Sequence, residues 1–135
     1  MVGALRNASA VARWIDTEVA AWPRPVIVIP AGEQWPSGVL RPAVEDLWGA
    51  GAIVSGLQHG PRSVEAQVAA DAFAAVRDDP VTALRECAGG EELEAAGFGA
   101  DVTVAAELDS SEVVPMLIDG ALVDARRAPA TDRTR

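Results

Sequence analysis

Three carboxylates near the front of the chain have the spacing most suggestive of chemistry: Glu33, Glu45 and Asp46. Glu33 closes the tetrapeptide Pro30-Ala31-Gly32-Glu33, directly after the apolar run Val26-Ile27-Val28-Ile29. A continuous apolar run of this length is what a strand covered on both faces uses. In open α/β sheets, ligands bind beyond the carboxyl ends of strands, which is where Glu33 falls. Gly32 beside it allows close approach of the backbone to a ligand, or a positive φ. Glu45 and Asp46 lead into residues 47–58, which contain no charged side chain. A helix that is apolar or small on every face is ordinarily buried. At helical spacing Asp46 shares a face with Gly49, Ala50, Ile53 and Leu57, and Glu45 with Gly49, Ala52 and Gly56. Three acids at the mouth of a core suit a divalent-metal or an acid/base site, because carboxylate, water and phosphate oxygens are the ligands Mg²⁺ prefers. The plainer alternative is that first-turn acids complement the helix dipole. Glu33 and Asp46 are thus the candidate catalytic groups, and Glu33, Glu45 and Asp46 the candidate metal ligands.

A second group suits anions. In Arg6-Asn7-Ala8-Ser9, the backbone N–H groups of a helix start and the Asn and Ser side chains can hold an anionic oxygen, or serve as a plain N-cap. Arg41, just before the second helix, can grip a phosphate or sulfonate, or pair with Glu45 one turn on. With Gly32, these make Arg6, Asn7, Ser9, Gly32 and Arg41 the candidate substrate-binding residues. His59, the only histidine, sits in a His-Gly-Pro loop with no nucleophile-elbow partner and reads as a loop residue. Cys87 reads as a small buried side chain. Trp14, Trp22 and Trp48 fit core positions, while Trp35 is placed to wall a site beside Glu33. Asp71, Asp78, Asp79 and the Glu91, Glu92, Glu94 group read as solvated helix faces.

The elements that must position these groups follow from periodicity and punctuation. Asn7 or Ser9 can cap a helix over 8–22, with Val11, Trp14, Ile15, Val19 and Trp22 at helical spacing. Pro23 and Pro25 end it before the strand at 26–29. Pro42 suits the first turn of a helix reaching about residue 57. Ser63 caps a third helix over 64–78, with a stripe of Val64, Val68, Ala72 and Val76. Asp79-Pro80 stops it and starts another over 81–87. Gly89-Gly90 is expected to break the chain before a short helix at 91–96. Residues 101–108 fit either a strand or a capped helix. Asp119-Gly120 between two apolar runs signals a hairpin. Strand, helix, strand, helix and a terminal hairpin indicate an α/β layered domain over 1–125, followed by a disordered tail over 126–135.

Composition narrows the classes. A chain of 135 residues, half of them apolar, supports one packed domain. A net charge of -9 argues against a nucleic-acid partner. All basic residues are Arg, with no Lys and no Tyr, which reads as genomic base-composition bias. The single cysteine excludes an intrachain disulfide framework, and a reducing cytoplasm is the simplest compartment. The first residues lack the order of a signal peptide, and the charge-free run 47–58 is too short to span a bilayer.

Four segments, in order, resemble the 2-phosphosulfolactate phosphatase family. Val2-Gly3-Ala4-Leu5-Arg6-Asn7-Ala8-Ser9-Ala10-Val11-Ala12 looks like the start of that family's second half. Pro30-Ala31-Gly32-Glu33 and Glu45-Asp46-Leu47-Trp48-Gly49-Ala50-Gly51-Ala52 look like its next two motifs, and Val113-Val114-Pro115 with Asp119-Gly120 like its closing hairpin. The resemblance covers 2–125. It implies a layered α/β/α fold with a mixed sheet and a Mg²⁺-dependent phosphoric monoester hydrolase acting on a small anionic substrate. The family's named reaction converts 2-phospho-3-sulfolactate to 3-sulfolactate and phosphate, a step in coenzyme M synthesis. By motif, functional groups fall at Asn7 and Ser9, Gly32 and Glu33, and Glu45 and Asp46. Family members carry a further half upstream with an Asp-Val-Leu-Arg-Ala-Thr-like motif. This chain lacks that motif, and the fold is expected to be truncated on its N-terminal side. A non-catalytic remnant, one half of a two-chain protein, or a homo-oligomer paired through an open sheet edge is therefore the alternative to a self-sufficient enzyme. An acidic interaction module is the remaining reading.

Overall fold

Residues 1–21 and 23–127 are described in a computed structural model of the chain. The expected core position of Trp22, and the expected tail from residue 128 on, lie outside them. The described residues combine six helices with two antiparallel sheets of two strands each. A 3-10 turn, Leu5–Asn7, leads into α1, Ala8–Ala21. The short strands β1, Glu33–Gln34, and β2, Leu40–Arg41, form a small hairpin. They are followed by α2, Val44–Gly56, and α3, Val64–Ala74. Three shorter helices, α4 (Pro80–Glu86), α5 (Ala88–Ala95) and α6 (Gly99–Ala105), precede the hairpin of β3, Pro115–Ile118, and β4, Ala121–Asp124.

Most of the expected punctuation is present. Ser63 accepts the Ala66 N–H at 3.2 Å to cap α3, and Asp79 accepts the Thr82 N–H at 3.1 Å to cap α4. Asp119 and Gly120 both take positive φ, 47° and 83°, the requirement of a tight hairpin turn whose twist matches its strands. The ambiguous stretch after residue 100 is helical: Asp101 falls in the first turn of α6, where a carboxylate complements the helix N-terminus.

α2 is the centre of the helical packing and lies against both α1 and α3. Its residues Ala50, Gly51, Ala52, Ile53 and Val54 are all buried. Against α3 the two backbones approach so closely that any Cβ on Gly51 would collide with the Ala69 carbonyl. This contact sets the phase of α3 and corrects the expected stripe. Ala69, Ala70 and Phe73 face inward, while Val64 and Val68 are exposed. Small residues won the contact because close backbone approach excludes β-branched side chains.

Two further expectations are corrected. Gly89 and Gly90 do not break the chain but belong to the first turn of α5; the break is the extended Cys87 before it. Gly90 packs directly on the Leu84 carbonyl, where α4 and α5 meet. More consequentially, residues 26–29 form no strand and join no ladder. Ile27 is 82% and Ile29 80% exposed, where burial on both faces was expected. A strand is held by neighbours in its sheet, and β1 to β4 pair only among themselves. The run therefore stays unpaired beside a cavity. No described helix is long and apolar enough to cross a membrane.

Candidate active site

Between α1, α2, α4, α5 and the 24–31 segment lies a cavity of about 1110 Å³. Glu33, Arg41, Glu45, Asp46 and Glu92 all line it, together with apolar side chains such as Trp14, Ile15 and Ile53. The indole N–H of Trp14 is buried and has no hydrogen-bond partner.

The acids reach this cavity through local backbone constraints. Gly32 has φ +72°, and a Cβ there would stand 2.9 Å from Leu40 Cδ1 and 3.1 Å from the Arg41 carbonyl. That conformation turns the Gly32 N–H toward α2, where it donates to Asp46 Oδ2 at 2.7 Å. The β1–β2 register then sets Glu33 opposite Arg41. Glu45, one residue before Asp46, takes a long contact from the Cys87 thiol, with Sγ 3.7 Å from Oε2. The thiol is also 3.2 Å from the Leu84 carbonyl oxygen. Burial pushes the Cys87 thiol up, and the neighbouring Glu45 carboxylate adds to this, so the sulfur stays protonated.

Arg41 is the cation beside these acids in the fold, set opposite Glu33 by the β1–β2 register. It does not pair with Glu45, as helical spacing allowed. Its Nη1 and Nη2 instead donate to Glu92 Oε1 and Oε2, each at 2.8 Å. The guanidinium carbon lies 5.2 Å from the centroid of the Trp35 ring. Trp35 therefore holds Arg41 rather than lining the cavity. The bidentate bond to Glu92, with the charges of Glu33 and Glu45 behind it, raises the Arg41 pKa above its ordinary value.

The other candidate anion ligands are elsewhere and already engaged. Arg6 pairs with Glu107 at 3.2 Å and donates to the Val104 carbonyl at 3.4 Å. Asn7 is buried, accepts the Ala4 N–H at 2.8 Å and donates to the Val113 carbonyl at 3.0 Å. Ser9 gives its N–H and its hydroxyl to Asp109, at 2.7 and 2.6 Å. None of the three lines the cavity. His59 is an exposed loop residue whose Nδ1 lies 3.1 Å from Asp16 Oδ1. Burial alone would raise the Asp16 carboxyl, but the N–H groups of Gln58 and His59 and the His59 ring hold it below its usual range.

The donor set of the three acids is all oxygen, the right chemistry for Mg²⁺. Among the described residues, however, no three His, Cys, Asp or Glu side chains gather closely enough to hold an ion. Glu33, Glu45 and Asp46 share a cavity without forming a cage. That arrangement fits an ion held by one or two carboxylates, with water and substrate oxygens completing its shell.

Two residues with strong roles were not singled out. Glu92, whose sequence context is that of a solvated acid, is the bidentate partner of Arg41. Asp109 is one hundred positions from Ser9 and carried no local signal beyond being an Asp, a residue that tolerates its positive φ of 53°.

The profile of the 2-phosphosulpholactate phosphatase family matches residues 1–120 of the chain. The chain belongs to that family. No curated protein matches it. That family is a phosphatase family, and the matched span contains every charged group lining the cavity.

Proposed function

We propose that this chain is a Mg²⁺-dependent phosphatase acting on a small anionic phosphomonoester, with 2-phospho-3-sulfolactate the first substrate to try. The observation that carries the reading is the gathering of Glu33, Arg41, Glu45, Asp46 and Glu92 on one cavity in a chain of a phosphatase family. Five carboxylates, Glu18, Glu33, Glu45, Asp46 and Glu92, against two guanidiniums, Arg24 and Arg41, leave this cavity lining net negative. A cation accompanying the substrate lowers the net repulsion that a phosphate dianion meets on entering it. Glu33, Glu45 and Asp46 are the candidates to hold that cation, one or two of them directly, with water and substrate oxygens completing its shell. Bound Mg²⁺ supplies charge neutralisation at phosphoryl oxygens and a means of orienting water.

The chain's own residues do the rest. Arg41, its plane set by Trp35, binds an anionic substrate oxygen through its N–H fork. Asp46, fixed by the Gly32 N–H, cannot swing away from the cavity wall. Glu33 is exposed and has no hydrogen-bond partner, which leaves it free to accept a proton from water. In this reading the layered α/β/α arrangement of the family is completed around the 26–29 segment.

The test is phosphate release from a panel of small phosphomonoesters, with Mg²⁺ and with EDTA. EDTA-sensitive release that disappears in Asp46→Ala and Glu33→Ala supports the assignment. Release that survives both substitutions removes these residues from the mechanism.

One observation favours a second reading, in which the site works only as part of a two-chain assembly. Ile27 and Ile29 are about four-fifths exposed, at 82% and 80%, on a segment with no strand beside it. Such an edge is a template for another chain's strand. Sedimentation velocity on the wild type and on Ile27→Lys decides it: association in the first and monomer in the second is expected. A monomer in both, turning over substrate, excludes it.

A further inference from the structure

Arg41 and Glu92 form an asymmetric pair. The Arg41 side chain is 16% exposed and Glu92 62%. The guanidinium is gripped on its face by Trp35 and fixed in its backbone by the β1–β2 register. Glu92 has no comparable restraint: it is exposed at the edge of the cavity, and its contact with Arg41 is its one side-chain bond among the described residues. The cation is therefore the built part, and the carboxylate the part that can leave.

We propose that Glu92 is a displaceable latch on the anion grip of Arg41, and that a tetrahedral oxyanion of the substrate, phosphate or sulfonate, binds by taking its place. A guanidinium fork presents two parallel N–H donors, and it accepts two oxygens of a carboxylate, a phosphate or a sulfonate in the same way. With Glu92 engaged, the Nη1/Nη2 edge is occupied and an incoming anion cannot take that bidentate position. With Glu92 swung into solvent, the same donors face the cavity while stacking on Trp35 keeps their plane. The latch makes affinity a competition: a ligand must offer Arg41 more than an exposed carboxylate does. Weak monoanions are rejected, and substrates with a second anchoring charge are favoured. This rests on the phosphatase reading for the identity of the anion, but not for the exchange itself.

The experiment is calorimetric titration of inorganic phosphate and of sulfate into the full chain without metal. The variants are Glu92→Gln, Glu92→Asp, Arg41→Gln and Glu94→Gln. Glu92→Gln is expected to bind at least about threefold tighter than wild type, the scale of an exposed ion pair that no longer competes. Glu92→Asp, which keeps the charge but shortens the reach, should lie between the two. Arg41→Gln should lose binding. Glu94→Gln removes the same charge from the same helix, at a residue that pairs with Arg85 instead, and should behave as wild type. Equal tightening in Glu92→Gln and Glu94→Gln, or binding that survives Arg41→Gln, overturns the latch. If Glu92→Gln tightens as expected while no phosphomonoester is hydrolysed, the latch stands and the phosphatase reading fails.

Discussion

Asp109 sits on the N-terminus of α1, with one carboxylate oxygen 2.7 Å from the Ser9 N–H and the other 2.6 Å from the Ser9 hydroxyl. Its own N–H donates to the Leu5 carbonyl at 3.0 Å, and the Ser111 N–H to the Arg6 carbonyl at 2.7 Å. The start of α1 is thus closed by a loop from the far end of the sequence. A carboxylate of the protein occupies the position where the sequence suggested a substrate anion.

The stability of that closure is separable into two parts. Asp109→Gly keeps the positive φ and loses the cap, at a cost of about 1 kcal/mol. Asp109→Ala loses the cap and must also hold a left-handed conformation, adding about 1 kcal/mol. Urea denaturation should rank wild type above Asp109→Gly above Asp109→Ala. Equal values for wild type and Asp109→Gly would mean that the carboxylate contributes nothing.

The second expectation concerns acid. Asp124 bonds Arg126 through its side chain and accepts the N–H groups of Val114 and Arg126, at 3.2 Å each. The Arg126 bond is the largest influence, and the carboxyl falls from 3.8 to about 2. A carboxyl depressed on folding binds fewer protons than in the unfolded chain, so its contribution is complete above the unfolded value and fades as the pH drops from about 3.8 to about 2. The wild type should lose stability across that window, and Asp124→Asn should lose less. Parallel urea midpoints for the two proteins between pH 5 and pH 2, on the order of the interval spanning both values, would contradict it.

How much of this was legible from sequence depends on the range of the interaction. Ser63 and Asp79 were read correctly as caps because each bonds a donor three residues away. The Asp119-Gly120 turn was equally local. The phase of α3 was misread because it is set by contact with Gly51, not by its own valines. The pairs Asp109–Ser9 and Arg41–Glu92 join residues 100 and 51 positions apart, and no local pattern encodes either. Residues 26–29 show the opposite failure: the strand signal is local and clear, but a strand exists only with a neighbour, and none of β1 to β4 supplies one. The acids Glu33, Glu45 and Asp46 line one cavity, in keeping with their position before and at the start of the charge-free helix, whereas Arg6, Asn7 and Ser9 lie elsewhere and are not distinguishable in sequence from ordinary helix-start chemistry.

Glycines two positions apart in α2 should respond to alanine with opposite signs. Nothing lies within 4 Å of a Cβ placed on Gly49, so Gly49→Ala gains helix propensity, up to about 1 kcal/mol. Gly51→Ala gains the same propensity but drives its methyl into the Ala69 carbonyl, a backbone atom that no rotamer change can move. Overpacking of this kind costs about 1–3 kcal/mol and outweighs the gain, so α2 and α3 must separate. Thermal melts should show Gly49→Ala at or above wild type and Gly51→Ala clearly below it. A stabilised Gly51→Ala would mean that the two helices are not in backbone contact.

Asp46 has a structural duty and a proposed chemical one, and two substitutions divide them. Asp46→Asn retains an oxygen able to accept the Gly32 N–H, now 2.7 Å from Oδ2, but carries no charge. Asp46→Ala removes the acceptor and leaves a half-buried N–H beside a glycine held at φ +72°. The unsatisfied donor costs about 1–3 kcal/mol, and the Pro30–Gln34 backbone loses its tie to α2. Urea denaturation should therefore find Asp46→Asn close to wild type and Asp46→Ala destabilised. Mg²⁺-dependent phosphate release should fall in both, because each loses the negative charge that attracts a hard cation, and the neutral amide oxygen of Asn is a weaker ligand than a carboxylate. If Asp46→Asn keeps full activity, the charge is dispensable and Asp46 is a clamp for the Gly32 turn alone; if Asp46→Asn is folded, stable and inactive, the carboxylate is needed for the reaction itself.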